Sequence, residues 1–400
     1  MGQWHSPKHD SYDIVVIGGA MMGSSTAFWL TQMGFQGRVL VVEMDPSYQA
    51  CSTAHTNSCV RQQFSNALNI QISQFTADFI RNINDHTGDD RVPPIHFQTY
   101  GYMYLSDDAA FTETLQSLAA LQRSLGAETE ILSPAQIAER YPFYNLDGIT
   151  AGSINTKDEG YWDGGTVFEW MRRLARERGI EYCQNKVTGL DRDGARITGV
   201  TLASGDRVAC GQVVNASGPR ADATAQMAGL SLPVEPRKRY TWIFSAEEPL
   251  DRDLPLTIDP SGVHVRQDGP TTYLAGATPD HDPAVDPTDF SMTDNTWMDK
   301  AWPAIATRIP AFERIKIVTE WAGHYAFNAF DQNAIMGCHP DVSNFVFLNG
   351  FSGHGLQQSP AMGRATAEWL IHGEYRSLDM SPFAITRILE GARYVEKAVI

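Results

Sequence analysis

The first residues of this chain suited to chemistry are small ones. In VVIGGAMMGSS, Val15 to Ser25, the residues Gly18, Ala20 and Gly23 fill the three positions of a G-x-G-x-x-G turn. There the first makes the tight bend, the second lets a pyrophosphate approach the backbone, and the third brings helix and strand together. Ala20 adds a methyl at the second position, a cost that Gly19 or a small loop shift could absorb. Glu43 falls 25 residues after Gly18, where a carboxylate would accept hydrogen bonds from an adenosine ribose. These groups need a strand, a helix and a second strand to position them. The order is present: the apolar run Asp13 to Ile17, a helical stretch through Ala27, Phe28, Leu30 and Met33 that ends at Gly34, and RVLVV at Arg38 to Val42. A dinucleotide site follows, with Gly19, Met21, Met22 and Met44 beside it. A plain βαβ unit whose glycines serve only packing is the alternative.

Two later segments specify the dinucleotide. VVNASGPRAD is a strand that ends in a small-residue turn at Ser217 and Gly218 and enters a helix. NFVFLNGFSGHGLQQSPAMGRATAEWL repeats the design with a glycine loop of Gly350, Gly353 and Gly355 and a helix expected to start near Ser359 and Pro360. The unpaired N–H groups and positive end of that helix would stabilise negative charge on a reduced isoalloxazine, which points to FAD.

Composition narrows the rest. With 400 residues, 42% apolar and 20% charged, the chain is long enough for two domains. A formal charge of −16 and the lack of a basic segment exclude nucleic-acid partners. No apolar run is long enough to span a bilayer, and MGQWHSPKHDSYD lacks the apolar stretch of a secretory signal. Five scattered cysteines with no C-x-x-C suggest neither disulfides nor zinc, so a cytoplasmic protein without a metal site is expected. Short strands at Gly101, Arg239, Gly262 and Thr271 predict a mostly antiparallel sheet, and Ala109 to Glu139 and Thr166 to Arg178 read as amphipathic helices. Pro279 to Asp289, PDHDPAVDPTD, reads as a surface loop.

IGGAMMG, VVE at Val41, CSTAHTNSCVR, VVNASGP, WAGHYAFNAFDQNAIMG and GFSGHGLQQSPAMGRA together resemble the D-amino-acid oxidase and sarcosine oxidase class of FAD-dependent amine oxidoreductases. VRQQFS, DEGYWD, VEPRKRYTW and SPFAITR are similar to a branch of this class implicated in assembling respiratory complex I. The resemblance implies an α/β plus antiparallel β fold, with a Rossmann-like FAD-binding domain of the glutathione-reductase type interleaved with a substrate domain. Residues 12–98, 149–225 and 322–400 are expected to bind FAD, and 99–148 and 226–321 to bind substrate. It also implies that Ser52, Thr53, His55, Val187, Gly323, Ser352, His354, Leu356 and Gln357 lie against the cofactor. The implied reaction is oxidation of a carboxylated amine, an amino acid or N-alkyl amino acid, by hydride transfer to flavin N5, followed by imine hydrolysis. The electron acceptor is open between oxygen, an electron-transfer flavoprotein and a quinone.

Individual substrate residues follow from the same resemblance. Arg61 stands where sarcosine oxidases place an arginine that grips the substrate carboxylate, and a guanidinium fork suits that role. Arg266, on a substrate-domain strand, is the alternative clamp or a salt-bridged strand residue. The partner lysine of those oxidases falls on Gln357, and their oxygen-activating lysine falls on His264, so a dehydrogenase is favoured over an oxidase. His55 and His324 stand at positions where relatives link flavin covalently; hydrogen-bond support of the ring is the other reading. Tyr240, Trp242, Tyr273 and Tyr325 either shape a substrate pocket or pack in the core. Two other functions stay open: oxidation of a 2-hydroxy acid with His264 as the base, and an assembly factor that retains FAD without strong catalysis.

Overall fold

In the computed structural model, which describes residues 4–292 and 295–397, the strand Ser11–Ile17 is the centre of the molecule. It pairs in parallel with Val39–Glu43 on one side and Arg207–Asn215 on the other. Glu181–Gln184 and Val342–Asn349 extend the parallel core at its two edges. Alternate residues of the central strand serve two cores. Ile14 and Val16 face the helices Met21–Gln32, Gly164–Glu177 and Gly355–His372, while Val15 and Ile17 face a layer that includes Leu190, Val200 and Ala225. Burial on both faces explains the continuous apolar run.

Among the described residues the second sheet has eight strands, in the order Ile315–Asn328, Val234–Ala246, Thr272–Ala277, His264–Gln267, Leu256–Ile258, Tyr102–Ser106, Ala151–Asn155 and Glu130–Leu132. Of these described strands only Leu256–Ile258 against Tyr102–Ser106 pairs in parallel, so this sheet is mostly antiparallel as the sequence predicts. Its longest pair, Val234–Ala246 with Ile315–Asn328, carries several site residues.

Two local expectations need correction. The stretch Ala109 to Glu139 is not continuously helical: a helix over Ala109–Ser124 gives way to the strand Glu130–Leu132, and a second helix starts at Pro134. Ser133 and Gln136 form a reciprocal capping box, which sets that second start. The C-terminal helix begins at Gly355 rather than near Ser359, with Pro360 inside its second turn. Proline cannot donate to the carbonyl four residues back. That carbonyl, on Leu356, instead accepts from Ser359 Oγ at 2.8 Å. None of the helices among the described residues is long and apolar enough to cross a membrane.

Candidate active site

A cavity of about 520 Å³ runs from the first turn of the central βαβ unit to the inner strands of the second sheet. At its first end the backbone is shaped by glycine. Gly18 has φ +99°, and a Cβ there would lie 2.5 Å from the carbonyl oxygen of Ala216. A Cβ on Gly23 would lie 1.9 Å from Gly18 O, so strand and helix pack through that position. Ala20 caps the helix in an extended conformation with no side-chain hydrogen bond, which leaves first-turn N–H groups for a ligand. The methyl is accommodated because Ala20 is only half-buried on the cavity wall. Glu43 closes this end: Oε2 accepts from Gly19 N and Oε1 from Asp45 N, each at 2.8 Å. Burial raises its pKa above the ordinary value against those hydrogen bonds.

The middle of the cavity is lined by Val187, Ser217 and Gly218, with Ser217 Oγ held by Asn215 Oδ1 at 2.7 Å. From the chain's C-terminal part come Ser352 to Gln357. Gly353 has φ +93° and sits against the Tyr325 ring, where a Cβ would lie 2.4 Å from Cε2. Ser352, at φ +48°, is held in that conformation by donation of its N–H to Ala326 O and by acceptance at Oγ from Asn328 N. The helix after it has His354 as N-cap without a side-chain cap bond, a second uncapped helix start on the same cavity.

The loop 51–61 joins these parts. Thr53 Oγ1 accepts from Met21 N at 3.3 Å, and Ser52 Oγ donates to His324 O at 2.6 Å. His55 bonds through Nδ1 to Cys51 O and packs on Phe290, which packs in turn on His324. Gly323 is needed here, since a Cβ would lie 2.8 Å from His55 Cβ and from its carbonyl oxygen.

Arg61 lines the cavity and is 1% exposed. Nη1 donates to Gln63 O at 2.5 Å, Nη2 to His354 Nε2 at 3.0 Å, and the guanidinium lies 3.9 Å from the Phe64 ring centre. Its backbone N–H donates to Gln357 Oε1 at 3.1 Å, so the two positions that the resemblance paired are in contact. A permanent cation donates to His354, whose Nε2 must therefore be the bare nitrogen. Burial and then Arg61 hold that ring's pKa well below the usual value. Behind this loop Glu159 is fully buried and accepts from Gln62 N, Gln63 Nε2 and Asn155 Nδ2. Burial raises its pKa to about 7 despite those donors.

The cavity wall takes in Met21, Met22, Met44, Tyr240, His264, Leu356 and Gln357 as well as the residues above. Gly19, Gly23 and Gly350 stand behind it as backbone support. Arg266 also stands outside. Its Nη1 pairs with Asp268 Oδ1 at 3.0 Å, and the guanidinium lies over Tyr161 at 4.5 Å, the salt-bridged arrangement. Trp242 and Tyr273 pack in the core of the second sheet. Sequence reading missed Asn57, Arg220, Arg239 and Thr241, all on the wall. Arg239 grips Asp282 through both terminal nitrogens, at 2.8 and 3.0 Å, and lies 4.6 Å from the Tyr325 ring. A count of basic residues in VEPRKRYTW could have flagged it; nothing local flags Asn57. No His, Cys, Asp and Glu cluster among the described residues could hold a metal.

Two uncapped helix starts, a glycine turn that no side chain could fill and an acid at the end of the second strand define a flavin-dinucleotide oxidoreductase. The chain belongs to the DAO family of FAD-dependent oxidoreductases, whose model matches residues 13–369. It is 36% identical to FAD-dependent oxidoreductase domain-containing protein 1 of Xenopus laevis, over 97% of this chain and 85% of that one. It is 25% identical to human mitochondrial sarcosine dehydrogenase, over 95% of this chain and 42% of that protein. Among solved structures, L-proline dehydrogenase from P. horikoshii superposes with a TM-score of 0.83 at 25% identity, covering 96% of this chain and 99% of that one. FAD is the cofactor, and the protein is an oxidoreductase related to amine and amino-acid oxidising enzymes.

Proposed function

We propose that this protein oxidises a small amine that carries a carboxylate, an amino acid or an N-alkyl amino acid, as a dehydrogenase. The observation that carries this reading is the charge of the cavity wall. Among the described residues Arg61, Lys186 and Arg220 line it, beside Arg239 whose charge Asp282 balances, while the acids of the wall, Glu43 and Asp45, both sit beside the glycine turn, in a chain of formal charge −16. Cations concentrated in one cavity of an acidic protein serve anions: the pyrophosphate along the helix starts, and a substrate carboxylate at the second sheet.

FAD, when bound, supplies the acceptor for the two electrons removed from the carbon bearing the nitrogen. The turn at Gly18 to Gly23 and Glu43 would hold its pyrophosphate and ribose, and the start of the C-terminal helix would face the ring. Arg61 would orient the carboxylate, its own position fixed by Gln63 O, His354 and Phe64. His354 is neutral, so it adds no charge that would compete for the carboxylate. The human relative's name, sarcosine dehydrogenase, and that of the P. horikoshii structure, L-proline dehydrogenase, support the amine and dehydrogenase parts of the reading.

Oxidation of a 2-hydroxy acid would need a bare nitrogen or carboxylate to take the hydroxyl proton. His264 is the candidate, and its Nε2 is engaged by Asn57 at 2.7 Å. The test is anaerobic mixing of the FAD-loaded protein with amino acids, N-methyl amino acids and 2-hydroxy acids while the flavin absorbance is followed. Bleaching by the amines alone is expected. Bleaching by hydroxy acids alone would reverse the assignment, and no bleaching by either would favour a protein that keeps FAD for another purpose.

A further inference from the structure

A hydrogen-bonded chain in the cavity wall connects three residues that lie far apart in the sequence. Thr241 Oγ1 donates to Asn57 Oδ1 at 3.2 Å, and Asn57 Nδ2 lies 2.7 Å from His264 Nε2. The amide turns its NH₂, and not its oxygen, to the ring. Nε2 is then the acceptor, and a neutral imidazole carries its one proton on Nδ1.

The ring is held in this place from two sides. Gly276 pairs with His264 across the neighbouring strand, and a Cβ there would lie 2.3 Å from Nε2, so the imidazole rests on bare backbone. Asn57 is tied down through its own carbonyl, which accepts from Arg266 Nη2 at 3.4 Å. Burial first, and then the charge of Arg266, lower the ring's pKa to about 4; Arg266 is itself paired with Asp268. His264 is 9% exposed, and its Nδ1 is buried with no hydrogen-bond partner among the described residues. With no exposed surface, Nδ1 is out of a ligand's reach.

We propose that Asn57 is a positioning residue that holds His264 as a neutral imidazole whose one lone pair, on Nε2, is committed to the amide, so that this part of the wall does not act as a base. The consequence is one of substrate class, and only this consequence rests on the amine reading above. An alcohol must lose its hydroxyl proton to a lone pair, and the one lone pair of this ring is committed to Asn57. An amine that arrives uncharged needs no such base.

The tautomer can be read directly. Holoprotein labelled with ¹⁵N-histidine would be examined near neutral pH by long-range proton–nitrogen correlation. The His264 signals would be assigned by their loss in His264→Gln and their displacement in Asn57→Ser. A protonated Nδ1 and a bare Nε2 are expected; the reverse pattern, or an average of the two, overturns the proposal. Asn57→Asp supplies the contrasting case, since a carboxylate can only accept and must draw the proton to Nε2. There the pattern should invert, and the ring's titration midpoint should climb toward its ordinary value of about 6.5. The ratio of flavin reduction rates with a 2-hydroxy acid and with an amine should rise about tenfold or more in Asn57→Ala, which releases the Nε2 lone pair. An unchanged ratio in Asn57→Ala would defeat the claim about substrate class. If no amine reduces the wild-type flavin, the proposed function fails while the tautomer result stands.

Discussion

The two ends of the cavity are built by different means. At the glycine turn the site is mostly backbone: Gly18, Gly23 and the helix start at Met21 lie within a few residues of one another, and the close contacts are to main-chain atoms. At the second sheet it is side chains drawn from distant parts of the chain. Asn57 and His264 are 207 residues apart, and Arg61 and His354 are 293 apart. Backbone-built sites tolerate little change in residue type, because the space itself is the recognition element. Side-chain sites tolerate change that keeps donors and acceptors in register. Loss of the first kind should therefore remove the cofactor, and loss of the second should alter chemistry while the cofactor stays.

The largest effect is expected from Gly18→Val. Its Cβ would lie 2.5 Å from Ala216 O at a φ of +99°, so strand spacing and the turn cannot both survive. The purified variant should lack flavin absorbance and fail to take up added FAD; a yellow variant would show that the turn is not the cofactor's seat. Arg61→Ala comes next. It should keep FAD yet lose about 2–5 kcal/mol in kcat/KM for a carboxylated amine, with little loss for the analogue lacking the acid. Arg61→Lys should restore little, because an ammonium cannot serve Gln63 O, His354 and a carboxylate together. Equal loss with both substrates would assign Arg61 to support of its loop.

Glu43→Ala should weaken FAD binding by about 1.5–3 kcal/mol, the worth of hydrogen bonds to a charged group. Calorimetric titration of apoprotein would measure this, and an unchanged affinity would move the ribose elsewhere. The smallest effect tests the support behind the side-chain end. Glu159 titrates at about 7 in the folded chain against 4.5 ordinarily, so between those values the unfolded chain has released a proton that the folded chain keeps. Its contribution therefore favours folding less as pH rises from 4.5 to 7 and is constant above. Glu159→Gln should gain stability relative to wild type across that window, by about 3 kcal/mol at roughly 1.36 kcal/mol per pKa unit, seen as several degrees in melting temperature. A difference independent of pH would show that Glu159 is ionised throughout.

The glycine turn, the acid after the second strand, the parallel core and the mostly antiparallel second sheet could all be read in the sequence. Each depends on local spacing or on which faces of a strand are buried, and both leave a periodic trace. The cofactor was legible for the same reason, since a pyrophosphate is recognised by bare backbone at a helix start. The strand at Glu130–Leu132 was not, because three residues between two helices carry too short a pattern. Nor was the division of labour among the basic residues. Arg61 and Arg266 look alike in sequence, and only their surroundings place one on the cavity wall and the other on Asp268 and Tyr161. Arg239 and Asn57 came to light only with the fold. Which nitrogen of His264 bears its proton is likewise a tertiary matter: on the proposal above it is set by an amide that arrives from 207 residues away and whose oxygen accepts from Thr241. Local spacing determines where a backbone can bend toward a ligand, whereas the state of a side chain depends on neighbours that only long-range packing brings to it.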